Sequence, residues 1–102
     1  MIILTVRKIT KILDKSIGLL GRNPENIFFQ TRYGIHTFGM HLPIDVVILD
    51  NNYSVTKMKQ SLEPNRIFLW NPKYKNIVEL PVGTIQKKKI KEGRKISLEF
   101  NK

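Results

Sequence analysis

The sequence contains no cysteine and no alanine, and acidic residues are scarce, with 8 Asp plus Glu against 18 Lys plus Arg in 102 residues. The absence of cysteine excludes disulfides, thiol catalysis and zinc sites of the cysteine type. No glycine-rich nucleotide loop and no nucleophile elbow is present. The two histidines and the carboxylates are not spaced as in a metal motif. We therefore predict no metal and no cofactor.

Long hydrophobic runs are also missing. The apolar residues at the start of the chain stop at Arg7 and Lys8, which is too short for the core of a signal peptide. No later stretch approaches the roughly 20 apolar residues of a membrane-spanning helix. We therefore expect a cytoplasmic protein. A chain of 102 residues with 41% hydrophobic content fits a single domain, residues 1–102.

The formal charge of +10 creates a field that attracts nucleic acid, anionic membranes or acidic ligands. The densest basic segment spans residues 86–95, and no aromatic residue interleaves there to stack on bases. We interpret it as a solvated helix and turn. The alternative hypothesis is a nonspecific nucleic-acid or other polyanion-binding surface formed by six cations: Lys87, Lys88, Lys89, Lys91, Arg94 and Lys95.

Hydrophobic periodicity predicts short strands at residues 1–6, 27–30, 46–49, 53–59, 66–70, 76–80 and 96–100. Residues 50–52 are turn formers and predict a hairpin between the third and fourth of these strands. An amphipathic helix is expected from Ile9 to Leu20, ending at Gly21, and one or two helical turns at residues 84–90. The pattern predicts a mainly β domain, an antiparallel β-sandwich or barrel with one or two short helices.

Four blocks of sequence carry a family resemblance: GLLGR at residues 18–22, HTFGM at 36–40, PIDVVILD at 43–50 and VELPVG at 78–83. In order and spacing they resemble the Domain of Unknown Function 192 (DUF192) family of small bacterial and archaeal proteins, over nearly the whole chain. The resemblance implies a compact, mostly antiparallel β fold of sandwich or jelly-roll type with short helices. It implies no established reaction.

Four polar or sulfur-containing side chains precede the most apolar run, and Glu79 lies in the strand predicted at residues 76–80. Together they are our candidate ligand-binding residues: His36, Met40, His41, Asp45 and Glu79. If residues 36–41 form a strand, alternation places His36 and Met40 on one face and His41 on the other. A bulge or bend would bring the two histidines together. We predict that this region binds an unidentified small molecule or protein, and we favour a noncatalytic domain over an enzyme.

The two carboxylates also suggest a second hypothesis. Asp45, if buried, must pair with Arg22 or Arg32 or accept backbone N–H bonds. Alternation puts Glu79 opposite its neighbours, on an exposed or pocket-lining face. Convergence of Asp45 and Glu79 would give a pair able to do acid–base chemistry, as in a hydrolase. We interpret Trp70 as a core residue whose ring N–H bonds a carbonyl.

Overall fold

The computed structural model describes residues 2–9 and 25–101 of the chain. The helix predicted after Ile9, the block at residues 18–22 and the candidate partner Arg22 lie outside these residues. In chain order the described elements are β1 (Ile2–Lys8), β2 (Ile27–Gln30), β3 (Gly34–His36), β4 (Ile44–Leu49), β5 (Val55–Leu62), β6 (Ile67–Leu69), β7 (Asn76–Pro81), α1 (Thr84–Lys88) and β8 (Ile96–Asn101).

The strands form two sheets, which confirms the predicted mainly β class. A six-stranded sheet has the order β5-β4-β7-β2-β1-β8, and β3 pairs with β6 in a small antiparallel sheet. The large sheet is mixed, because β1 pairs in parallel with both β2 and β8. Parallel neighbours need a crossover connection, which strand periodicity does not encode. Across residues 2–9 and 25–101 the strands form no closed barrel.

Strand β4 is the centre of the packing, and all six of its residues are buried. Val47 and Leu49 face a core that includes Ile85 and Ile90 from the α1 segment, which we call the helix-side core. Residues 46 and 48 face a second core with Phe68 and other side chains of the small-sheet region, which we call the small-sheet core. The expectation that this apolar run is a strand covered on both faces is confirmed.

The predicted hairpin between β4 and β5 is present. Tyr53 N–H donates to the Asp50 carbonyl over 3.0 Å. The Asp50 carboxylate accepts the N–H groups of Asn52 and Ser54 over 2.8 and 2.9 Å. This side-chain mimic of a turn explains why the sequence favours reversal at Asp50. Strand β5 continues to Leu62, beyond the predicted end at residue 59.

The helical turns predicted at residues 84–90 correspond to α1 and the residues that follow it. Lys89 ends the helix in the left-handed conformation, with φ of 57°. Ile90 N–H donates to the Ile85 carbonyl over 2.9 Å, and both side chains are buried. In the described part of the chain, no helix is both long and apolar enough to cross a membrane.

A salt bridge joins β1 to the residues before β2. The guanidinium of Arg7 donates to both carboxylate oxygens of Glu25, at distances of 2.6 to 3.2 Å. The hydrogen bond from Arg7 lowers the pKa of Glu25, and the charge of Arg7 adds to this against the opposing effect of desolvation. A carboxyl whose pKa is lowered by folding stabilises the fold above its usual pKa, and this contribution is lost as the pH falls through the folded pKa.

We therefore expect Glu25→Gln to lower the free energy of unfolding by less than about 1 kcal/mol at neutral pH, since the pair is partly exposed and screened. The difference from the native chain should disappear at a pH below the folded pKa of Glu25. Urea unfolding at the two pH values measures it. A loss that is the same at both would show that the carboxylate charge is not its source.

Candidate functional site

The small sheet lies over one face of the large sheet. Ile35 and Phe68 pair across its two strands, and both are buried in the small-sheet core. The neighbouring pairs, His36 with Ile67 and Gly34 with Leu69, face outward. A Cβ atom at Gly34 would lie 2.5 Å from Leu69 Cδ2 and 2.7 Å from the Phe68 carbonyl oxygen. The close fit of Leu69 over β3 therefore requires glycine at this position.

Four side chains form a continuous exposed surface that we call the outer patch: His36, Phe38, Ile67 and Leu69. Ile67 and Leu69 each leave 62% of their surface exposed, and Phe38 leaves 52%. The rings of His36 and Phe38 stack with centroids 4.9 Å apart, and Phe38 N–H donates to His36 Nδ1 over 3.3 Å. Apolar side chains grouped in this way on a surface are typical of an interaction site.

Thr37 fixes the segment that carries the patch. Its side chain is fully buried, and its hydroxyl donates to the Glu63 carbonyl over 2.7 Å. The same oxygen accepts Arg66 N–H over 2.9 Å, and Thr37 N–H donates to the Arg66 carbonyl. These bonds attach the residues around His36 to the start of β6. They also set the spacing between His36 and Ile67.

Sequence reasoning missed the roles of Thr37, Ile67 and Leu69. A signal for the last two was present in the strand predicted at residues 66–70. Alternation places Ile67 and Leu69 on the face opposite to Phe68 and Trp70. Since Phe68 and Trp70 are the buried pair, the two aliphatic residues between and beside them had to face away from the core. For Thr37 no comparable pattern exists, because its bonding partners lie about a quarter of the chain away.

The predicted residues of the 36–41 segment separate in the structure. His36 belongs to the outer patch, whereas Met40 is half-buried and packs against the small-sheet core. His41 is exposed beyond it. Within residues 2–9 and 25–101, no group of three or more His, Asp or Glu side chains could hold a metal ion.

Asp45 is fully buried and accepts three backbone hydrogen bonds. One carboxylate oxygen accepts Ser61 N–H over 2.9 Å. The other accepts Gly83 and Ile85 N–H, over 3.0 and 2.9 Å, at the start of α1. Of the two arrangements expected for a buried carboxylate here, the structure has backbone pairing. Arg32 is directed elsewhere and donates to the Pro72 carbonyl. Asp45 thus ties β4 to β5 and to the start of α1.

Glu79 is buried on the other face of the sheet, with 2% of its surface exposed, so the exposed face considered for it from the sequence is wrong. It pairs in register with Val46 of β4 and Ile27 of β2, and both of these belong to the small-sheet core. Asp45 pairs with Leu80, which belongs to the helix-side core. The two carboxylates therefore project from opposite faces and do not form the acid–base pair considered from the sequence.

Trp70 occupies the structural position expected for it. Its ring is buried, and Nε1–H donates to the Tyr74 carbonyl over 2.9 Å.

An open groove of about 280 Å³ lies nearby, at the β4–β5 turn, and is lined by Asp50, Asn51, Asn52, Lys73 and Tyr74. None of the five candidate ligand-binding residues lines this groove.

The six candidate cations of residues 87–95 are all exposed. Two of them, Lys87 and Lys88, lie in the last turn of α1, where positive charge is favoured by the helix dipole. Ile90 is buried between the cations and fixes the segment to the helix-side core. The six side chains form no salt bridge with another described residue.

Comparison with known proteins adds a family and a fold. The model of DUF192, described as Uncharacterized ACR, matches residues 4–98, nearly the whole chain. A protein of unknown function from Novosphingobium aromaticivorans superposes with a TM-score of 0.74 at 15% identity, covering 88% of this chain and 71% of that one. A Sinorhizobium meliloti protein, named as a candidate transcription regulator, gives 0.73 at 16% identity, covering 86% and 76%. At these identities the likeness concerns the fold alone. No curated protein matches the chain.

Proposed function

The chain belongs to the uncharacterized DUF192 family, and from the geometry of its small sheet we propose that it is a noncatalytic domain that binds a protein partner through the outer patch. The observation that carries this proposal is the exposure of Ile67 and Leu69, side by side on one strand face. Large aliphatic side chains in such a group lower the free energy when a partner covers them.

The surroundings of the patch support a protein partner over a small molecule. Small ligands bind in concave pockets, whereas Ile67 and Leu69 stand out from the strand with most of their surface exposed. Aromatic and aliphatic side chains at the centre, with polar residues at the rim, are typical of protein interfaces. The hypothesis of a noncatalytic domain is supported by Asp45, because both of its carboxylate oxygens already accept backbone N–H bonds.

Site-specific photocrosslinking in cells tests the proposal. A benzophenone amino acid replaces Ile67 in one variant and Ile3 in the matched control, since Ile3 is an exposed isoleucine on the large sheet. We expect a discrete adduct from position 67, identified by mass spectrometry, and none from position 3. Adding Leu69→Ser should reduce the adduct by about tenfold or more, as expected for loss of a central interface residue.

Equal labelling from both positions would contradict docking at the patch. Labelling at position 67 that is unchanged by Leu69→Ser would contradict it as well. The variants must first give the same thermal unfolding temperature as the native chain. Ile67 and Leu69 are largely solvent-exposed, so we expect their substitution to change stability by no more than about 0.5 kcal/mol.

The second candidate function is polyanion binding through the basic segment. It is favoured by one observation, the exposure of six cations that form no salt bridge with a described residue. Phosphate contacts release counterions, so binding would weaken steeply with added salt. No aromatic residue within the segment is available for base stacking, which argues for binding without sequence preference.

Single-stranded DNA of about 12 nucleotides, labelled for fluorescence anisotropy, is the probe for this function. The test variant replaces Lys87, Lys88 and Lys91 by glutamine, and the control replaces the exposed Lys8, Lys59 and Lys73 in the same way. Both lose the same charge. Weaker binding and a smaller salt slope in the test variant alone would support the function. Equal effects would assign the binding to overall charge.

A further inference from the structure

The outer patch ends at an open strand edge. In the described chain, β6 pairs with β3 alone. The ladder is flanked by bonds from Thr37 N–H to the Arg66 carbonyl and from Trp70 N–H to the Tyr33 carbonyl. Antiparallel pairs alternate between bonded and non-bonded positions. The peptide groups of Ile67 and Leu69 therefore point away from β3, toward the outer edge of β6. The Leu69 carbonyl there accepts Lys57 Nζ, so the groups that an added strand can bond are the N–H and C=O of Ile67 and the N–H of Leu69.

The two sides of this edge differ in chemistry. Ile67 and Leu69 lie on the outer face, while Lys57 reaches from β5 to the inner side. Its Nζ donates to the Leu69 carbonyl over 2.9 Å and lies 5.1 Å from the centre of the Phe68 ring. Arg66, directly before β6, continues the parity of Phe68 and adds a second exposed cation. The edge is apolar outside and cationic inside.

We infer that the partner presents an extended segment, in which apolar residues alternate with Asp or Glu, and adds it as a third strand along β6. This inference rests on the proposed function. Side chains of an added strand alternate between the two faces. Its apolar residues cover Ile67 and Leu69, and the acidic residues between them meet Lys57 and Arg66.

The positive charge of the chain favours an acidic segment over a second copy of the chain as the occupant of this edge. Each copy carries a formal charge of +10, and its edge is bordered by Lys57 and Arg66. Two such edges brought together repel each other, because like charges directly opposite are unfavourable. An acidic segment gains from the same field during both encounter and binding. The apolar centre favours a polypeptide over a nucleic acid, whose contacts are mostly with phosphate.

Binding of synthetic peptides to the full chain, followed by fluorescence anisotropy, tests the inference. The first peptide alternates Val or Ile with Asp or Glu. The second has the same composition in two blocks, and the third carries Lys in place of each acid. We expect the first to bind about tenfold more tightly than either of the others. Methylation of the peptide amides that face β6 should abolish binding, because strand addition needs them.

Variants of the chain locate the contact. Leu69→Ser should weaken the first peptide about tenfold, and Lys57→Gln about threefold, with a smaller salt dependence than that of the native chain. Ile3→Ser is the matched control and should leave binding unchanged. Thermal unfolding of each variant confirms that the fold is retained.

The outcomes that overturn the inference are distinct from failure of the proposed function. If the adduct at position 67 forms and depends on Leu69, but the three peptides bind equally or not at all, the acidic strand is wrong and the docking surface stands. A Leu69-dependent dimer in sedimentation would make a second copy the occupant. Leu69-dependent binding of single-stranded DNA or anionic vesicles, in place of the acidic peptide, would assign the edge to those ligands.

Discussion

Replacing Asp45 by asparagine is expected to lower the free energy of unfolding by about 3 kcal/mol. The carboxylate is fully buried and accepts three backbone N–H groups, two of them at the start of α1. An amide of the same shape has one accepting oxygen, and its NH2 group must face N–H donors on one side. At least one buried donor then loses its acceptor, and the repulsion between donors adds to this cost.

Asp50→Asn is the matched control for this substitution. Asp50 also accepts two backbone N–H groups, but both reach the same carboxylate oxygen, which the amide oxygen of asparagine can replace. The residue is half-buried at the β4–β5 turn, so the NH2 group can face water, and the main loss is the charge on the acceptor. We expect a loss of about 1 kcal/mol there. Urea unfolding with equal m-values compares the two variants. If both lose the same, Asp45 does not hold β4, β5 and α1 together, and a catalytic role for it must be reconsidered.

For Asp45, the sequence predicted the kinds of partner that a buried carboxylate could have, but not which residues supply them. Its position before an apolar run limited the partners that it could have if buried to arginine or backbone N–H groups. The structure shows that Asp45 is buried and accepts backbone N–H groups. The donors themselves could not be found from the sequence, since Ser61, Gly83 and Ile85 lie 16, 38 and 40 residues further along. Ser61 has a left-handed φ of 53°, at a register shift that no periodic pattern encodes.

The faces of the sheet on which Asp45 and Glu79 lie were also predictable only in part. Alternation along β7 predicted that Glu79 lies opposite its two neighbours, which is confirmed. Whether that face is shared with Asp45 depends on the register between β7 and β4. One residue of slip would have placed the two carboxylates on one face. Sequence periodicity fixes faces within a strand and leaves their relation between strands undetermined.

Of the two strands of the small sheet, one was predicted from the sequence and the other was not. β6 lies within the strand predicted at residues 66–70, whereas β3 was not predicted, because three residues beginning with glycine carry no alternating pattern. Strand β3 forms because Ile35 packs against Phe68 and because Gly34 allows Leu69 to approach. The outer patch depends on both strands. Local sequence patterns therefore identified His36 as a candidate residue but not the aliphatic residues that lie beside it in the structure.

Thr37→Val is expected to lower the free energy of unfolding by about 2 kcal/mol. Valine keeps the branched shape of threonine and its volume, so packing around this fully buried position is nearly unchanged. What is lost is the hydroxyl, which donates to the Glu63 carbonyl and accepts Arg66 N–H. Both partners lie at the connection that leads into β6. The Arg66 amide should then exchange its hydrogen faster, and the outer patch should lose its fixed spacing.

Thr56→Val provides the control that separates a general loss of a hydroxyl from this effect. Thr56 Oγ1 donates to the Ile48 carbonyl over 3.1 Å on the half-buried face of β5, and valine is favoured in strands. We expect a change within about 0.5 kcal/mol there. Urea unfolding and amide exchange of both variants give the comparison. If Thr37→Val changes neither stability nor Arg66 exchange relative to Thr56→Val, then Ile35 and Phe68 alone hold β3 on β6, and the patch does not depend on the buried hydroxyl.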